Sequence, residues 1–192
     1  MIVACLGDSI TAGSPLWDPD PAVRARISEP DERSQWQWWA AALTAPQLDF
    51  RNHGVYGERT DQIAARFEGA VEGAELLIVQ GGINDIVQGR LVEEAAGDLA
   101  DMVERGQGLG LRVALADVLP WNNGDARAAQ AIARLNELVR ALAGDLDVSL
   151  LPFHDTLADP RQPHRMRDEW TDDGDHPSVE GHRLLGERAF RT

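Results

Sequence analysis

Four short blocks in this sequence hold residue types that acyl chemistry uses, each beside a glycine or a helix entrance. The first is Gly7-Asp8-Ser9-Ile10-Thr11, with Gly13 close behind. Its glycines permit a tight strand-to-helix turn that presents the Ser9 hydroxyl and backbone N–H near a helix N-terminus, where an acyl-transfer nucleophile belongs. A serine in such a turn also serves as an ordinary helix cap. The second block is Asn52-His53-Gly54-Val55-Tyr56-Gly57. Gly54 lets a backbone N–H approach a ligand closely, as an oxyanion donor must, or it simply makes a turn; Gly57 reads as a turn. His53 reads as a packing residue or one that supports the site from behind, because no carboxylate in the sequence pairs with it.

The third block, Gln80-Gly81-Gly82-Ile83-Asn84-Asp85-Ile86, offers the Asn84 amide, an uncharged N–H donor suited either to a developing oxyanion or to a turn. Asp85 is expected to hold the loop by local hydrogen bonds. The fourth block is Thr171-Asp172-Asp173-Gly174-Asp175-His176-Pro177-Ser178. A carboxylate three residues before a histidine, with glycine between, can fold back to accept the Nδ1 proton and leave Nε2 aimed at a serine. Spacing alone leaves Asp172 and Asp175 as competitors to Asp173. A metal site built on His176, His182 and the aspartates is set aside, since six residues fit neither a helical pair nor a zinc-finger spacing.

These groups need a frame. Apolar runs at Ile2–Leu6, Leu48–Asn52, Leu76–Gln80, Val113–Leu119 and Val148–Leu151 alternate with helical periodicities at Gln35–Leu43, Arg59–Phe67, Leu91–Gly106, Ala126–Ala143 and Ser178–Ala189. The stripe Ile132, Leu135, Leu138, Val139 and Leu142 is core packing. Strands apolar throughout imply a parallel sheet covered on both faces, hence an α/β fold: a three-layer α/β/α sandwich with a five-stranded parallel sheet in flavodoxin-like order. Ligands of such sheets bind beyond the carboxyl ends of the strands, which puts the chemistry after Leu6, Asn52, Gln80 and Leu119. Only Ser14–Ser34 lacks a periodic pattern, and it reads as a functional loop or a lid.

Length and composition narrow the function. The 192 residues, 43% hydrophobic, suit a single domain over residues 1–192. A net charge of −14 opposes binding to nucleic acid or an anionic membrane and reads as a solvated acidic surface. No lysine occurs, so all 18 cationic side chains are arginine, which excludes Schiff-base lysines, Walker-type loops and serine–lysine dyads. The one cysteine, Cys5, sits in the first apolar run and reads as an inert core thiol. Neither a secretory signal nor a membrane run is visible, so a cytoplasmic location is expected.

Taken together and in order, the blocks resemble the SGNH (GDSL) hydrolases, α/β/α serine esterases and lipases named for a Ser, a Gly, an Asn and a His in separate blocks. The resemblance spans Leu6 to Ser178. It implies Ser9 as nucleophile, His176 as general base and acid, and Asp173 as the orienting carboxylate. It further implies an oxyanion hole from the N–H groups of Ser9 and Gly54 and the Asn84 side chain, with no cofactor and no metal. The expected activity is hydrolysis of small carboxylic esters with short acyl groups; carbohydrate O-deacetylation is the alternative within the fold. A non-catalytic flavodoxin-like binding domain is disfavoured by the Asp173-x-x-His176 pair. The other α/β-hydrolase fold is disfavoured by the missing Gly-x-Ser-x-Gly elbow.

Specificity rests on weaker signals. Trp17, Ile83 and Trp121 lie at the expected catalytic end and are candidate pocket walls. Trp38 and Trp39, inside an expected helix beside Trp36, are expected to pack in the core.

Overall fold

The structure is a computed structural model and describes residues 1–44 and 48–189. The chain opens with β1 (Ile2–Gly7), α1 (Ser9–Ala12), α2 (Pro21–Arg24), α3 (Trp36–Thr44) and β2 (Asp49–Gly54). It continues through α4 (Thr60–Ala65), α5 (Phe67–Val71), β3 (Leu76–Val79), α6 (Ile83–Val87), α7 (Val92–Gly108) and β4 (Arg112–Ala116). The last part holds α8 (Ala126–Asp145), β5 (Ser149–Leu151), α9 (Phe153–Leu157), a hairpin of β6 (Ala158–Asp159) and β7 (Gln162–Met166), and α10 (Val179–Ala189).

The five long-range strands pair in parallel in the order β2-β1-β3-β4-β5, the flavodoxin-like arrangement expected. Successive strand residues face opposite sides, so one apolar run feeds two cores. Ala4, Leu6, Leu77 and Val79 pack with Ile63, Phe67, Leu99, Met102 and Leu135 on one face. Val3, Cys5 and Ile78 pack with Trp36, Phe153, Leu157 and Leu185 on the other. The Cys5 thiol is fully buried, and burial pushes its pKa well up, which suits the inert role expected of it.

Several local expectations are corrected. The single helix expected over Arg59–Phe67 is two, α4 and α5, with Arg66 outside helical geometry between them. Of the clustered tryptophans, Trp36 is the core residue, edge-on to Phe153 at 5.6 Å and to Phe50 at 6.3 Å. Trp38 is exposed, and Trp39 is half-buried with its indole N–H on the Arg33 carbonyl. Ser14–Ser34 is not without pattern: Asp20 caps α2, Asp31 caps a 3-10 turn at Glu32–Ser34, and Asp31 N–H bonds Leu16 O. The β6–β7 hairpin was not foreseen, because its short polar strands carry no apolar alternation. Among the described residues no helix is long and apolar enough to cross a membrane.

Candidate active site

The carboxyl ends of β1, β2, β3 and β4 gather the four blocks. At the end of β1, a Cβ on Gly7 would lie 2.3 Å from Thr11 Oγ1 and 2.8 Å from Gln80 O, so only glycine lets α1 turn back this tightly. Asp8 caps α1, its Oδ1 accepting the Ile10 N–H at 2.9 Å, and Ser9 is the first helical residue. Asp8 is fully buried, and burial raises its pKa to about 6 against the opposing pull of the Ile10 N–H, Gln80 and the nearby His176.

His176 comes from the loop before α10. Its Nε2 lies 3.1 Å from Ser9 Oγ, and its Nδ1 lies 2.8 Å from Asp173 Oδ2. Gly174, at φ +81°, provides the turn that folds the carboxylate back, and Asp173 Oδ1 also accepts the backbone N–H groups of Asp175 and His176. Burial pushes the Asp173 pKa up, but these hydrogen bonds and the imidazole outweigh it and hold the carboxyl below its ordinary value. Thr171 closes the loop by donating its hydroxyl to His176 O at 2.7 Å. The competing carboxylates are placed elsewhere. Asp175 Oδ1 accepts the Trp121 indole N–H at 2.5 Å and the Asn123 amide at 2.7 Å, and Asp172 is exposed.

Asn84, in the first turn of α6, gives one amide hydrogen to Glu58 O at 3.0 Å and keeps the other. Gly54 does not fit the oxyanion role expected of it. Its N–H donates to Asn52 Oδ1 at 2.9 Å, and a Cβ there would lie 2.0 Å from Ala12 N, so this glycine exists for close packing of β2 on α1. Gly57, three residues on at φ +77°, makes the turn expected of it, and its N–H has no partner among the described residues. That turn is tied to Asn84 through Glu58 O, and to α6 again by Gln88 Nε2 bonding Gly57 O.

Arginines brace these loops. Arg66 bonds Gly7 O, His53 O and Glu58, joining the ends of β1 and β2. Asp61, Asp85 and Asp98 come close enough together to hold a cation, but the Arg90 guanidinium occupies their midst, at 2.5 Å from Asp85, 3.0 Å from Asp98 and 3.4 Å from Asp61. Asp85 also takes the Thr60 N–H and hydroxyl, so it ties its loop to α4, 25 positions away, and not by the local hydrogen bonds expected of it. His53 is half-buried, its pKa lowered by burial and by Arg66 and Arg51, and it does not line the cavity that Ser9 and His176 share.

Ser9, Asn84 and His176 share a cavity of about 160 Å³ with Ile10, Tyr56, Ile83, Val87, Trp121 and Asp175. Ile83 and Trp121 therefore sit where expected, whereas Trp17 does not line it and lies under the Arg24 guanidinium at 4.5 Å. Tyr56, inside the second block, and Val87 are wall residues not singled out from the sequence; Tyr56 is 65% exposed and its ring stands 6.0 Å from the His176 ring. A larger cavity of about 480 Å³ lies along the β6–β7 hairpin, where Arg161, Arg165 and Arg167 face Asp159, Asp168 and Glu169, and it holds none of the four blocks.

A parallel α/β/α sandwich here carries serine, histidine and carboxylate in one hydrogen-bonded line at its strand ends, an arrangement that can serve acyl transfer. The chain belongs to the GDSL-like Lipase/Acylhydrolase family, whose sequence model matches residues 5–184, and membership implies hydrolysis of esters. Among solved structures it is similar to a G-D-S-L family protein from Desulfitobacterium hafniense DCB-2, at 21% identity and a TM-score of 0.81 over 98% of this chain and 97% of that one. A lipolytic G-D-S-L family protein from Veillonella parvula DSM 2008 matches at 21% identity and a TM-score of 0.78, covering 98% and 96%. An acetyl-xylooligosaccharide esterase from Geobacillus matches at 17% identity and 0.74, covering 98% and 91%. These likenesses establish the fold. A search of curated proteins returns no match.

Proposed function

We propose that residues 1–192 form one catalytic domain that hydrolyses small carboxylic esters with short acyl groups, through a covalent acyl-enzyme on Ser9. The single observation that carries this reading is the continuous line Asp173 Oδ2, His176 Nδ1, His176 Nε2 and Ser9 Oγ, at 2.8 and 3.1 Å. In the first half-reaction His176 Nε2 takes the Ser9 hydroxyl proton as Oγ attacks the ester carbonyl. The tetrahedral intermediate collapses as the imidazolium returns that proton to the alkoxide leaving group, and the alcohol departs. In the second half-reaction His176 deprotonates a water that attacks the acyl carbonyl, and the proton goes back to Ser9 as the acid leaves. Asp173 holds the ring by its Nδ1–H and stabilises the imidazolium.

The oxyanion donors are the Ser9 N–H, the free amide hydrogen of Asn84 and the Gly57 N–H. Gly57 replaces Gly54 in this role, because the Gly54 N–H is already bonded to Asn52 while the Gly57 turn is fastened to Asn84. The small cavity, about 160 Å³ and walled by Ile83, Val87 and Trp121, supports short acyl groups. The exposed Tyr56 ring at the mouth favours a second reading of the same chemistry, with an acetylated sugar as substrate. A panel of p-nitrophenyl esters from acetate to dodecanoate, run beside acetylated sugars with acetate release as readout, tests both. Highest kcat/KM at acetate to butyrate supports the reading, and absence of turnover on every member contradicts it.

A further inference from the structure

Beyond the catalytic cavity lies a second one of about 470 Å³, walled by Ile86, Val87, Ala128, Ala131 and Trp121, with Arg127 at its rim. Val87 and Trp121 are the residues common to the two linings, so these side chains form the partition between them. The partition is fastened from the catalytic side. The Trp121 indole N–H donates to Asp175 Oδ1 at 2.5 Å, and the same oxygen accepts the Asn123 amide at 2.7 Å. Asp175 in turn gives its backbone N–H to Asp173 Oδ1 at 2.8 Å and precedes His176 directly. A side chain that lines a substrate cavity and is pinned by a charged acceptor cannot swing aside without leaving that acceptor half-bonded.

Trp121 also has a reason to be a wall and not only packing. Its indole is half-buried, with one edge against the core on the α8 side. On the far side of it Ile86, Val87, Ala128 and Ala131 make an apolar lining, beside the charged Arg127 and Asp125. Asp125 caps α8 and the Asn123 amide serves Asp173 O and Asp175. The hydrocarbon part of this lining suits an alkyl chain, with the Arg127 guanidinium beside it.

From this we infer that Trp121, pinned by Asp175, is the wall that limits chain length at the catalytic cavity, and that the trough behind it is an alkyl-chain subsite opened by removing or releasing the wall. This rests on the esterase reading for its substrate, but the partition itself does not depend on turnover. Asp175 is then a positioning residue for specificity: it acts on chain length through Trp121.

Two variants and two readouts test it. Trp121→Ala removes the wall. Asp175→Ala, at an exposed position, releases the wall and leaves the Asp175 N–H on Asp173. The ratio of kcat/KM for octanoate over butyrate esters is expected to rise at least about tenfold in Trp121→Ala, a difference of about 1.4 kcal/mol. It is expected to rise by a smaller factor in Asp175→Ala. A Trp121→Leu variant keeps an apolar contact with the core should the alanine variant not fold, and it predicts the same direction. Calorimetric binding of free octanoate needs no turnover and is expected to tighten in the same order. An unchanged or lowered ratio together with unchanged octanoate binding overturns the wall. If the parent shows no esterase activity but octanoate binding tightens as stated, the esterase reading fails and the partition stands.

Discussion

His176 Nε2 stands 3.1 Å from Ser9 Oγ although 167 positions of chain separate the two residues. The sheet brings them together. Ser9 follows the end of β1, an interior strand paired with β2 and β3, and the His176 loop returns over that end before α10 packs back on α3. The closure between Thr171 and His176 keeps the imidazole at this reach.

Losing one oxyanion donor weakens charge stabilisation without touching the nucleophile. Asn84→Ala is therefore expected to lower kcat by about 10²–10³, with KM changed far less. Steady-state kinetics on p-nitrophenyl acetate measure this, and a change confined to KM would assign Asn84 to substrate binding instead.

The assignment among the three neighbouring aspartates has its own test. Asp173→Asn leaves the shape of the loop but removes the acceptor for the Nδ1 proton, so kcat is expected to fall by roughly 10⁴. Asp172→Asn, at an exposed site with no tie to the ring, is expected to stay within about twofold of the parent. Reversed magnitudes would reassign the orienting carboxylate.

Two buried groups make opposite pH demands on stability. His182 is fully buried with neither ring nitrogen hydrogen-bonded, and burial, with the charge of His176, lowers its pKa from 6.5 to about 3. Across that window the unfolded chain binds the extra proton, so stability is lost as pH falls. Asp8 behaves oppositely: its pKa rises from 3.8 to about 6, the folded chain holds the extra proton between those values, and stability is lost as pH rises through them. His182→Leu is expected to shrink the drop in Tm between pH 6.5 and pH 4. Asp8→Asn, which keeps a good cap, is expected to enlarge it. Thermal melts at four or five pH values decide, and curves parallel to the parent for both variants would remove these groups from the account.

Arg90 neutralises a carboxylate with no exposure at all, Asp85. Arg90→Met strands that charge and is expected to destabilise the fold by about 3–5 kcal/mol, read from urea unfolding. A loss below about 1 kcal/mol would show the cluster to be a solvated surface pair of the ordinary kind.

How far the sequence could be read depends on what each feature needs. The five strands and the Ser9, Asn84, Asp173 and His176 placements were legible because apolar runs fix strands, and strand ends fix where loops converge. Gly54 was misread because a glycine announces permissive backbone but not where its N–H goes. Asn52, two residues earlier, captures it in an Asx turn, and the Asn-x-Gly spacing was the available signal. Trp36, not Trp38 or Trp39, fills the core because the rotational phase of α3 is set by its packing on α10, which no local pattern carries. Trp17 left the pocket through a contact with Arg24 that lies outside any motif. The Trp121 partition depends on Asp175, 54 positions away.

The central claim is that Ser9 is a nucleophile activated by His176, and intact-protein mass spectrometry after exposure to a fluorophosphonate probe tests it most directly. The parent is expected to gain the mass of one phosphonyl group on the peptide containing Ser9 and to lose ester hydrolysis in step with labelling. Ser9→Ala is expected to show neither labelling nor hydrolysis, and His176→Ala to label far more slowly. Undiminished hydrolysis by Ser9→Ala would contradict the mechanism.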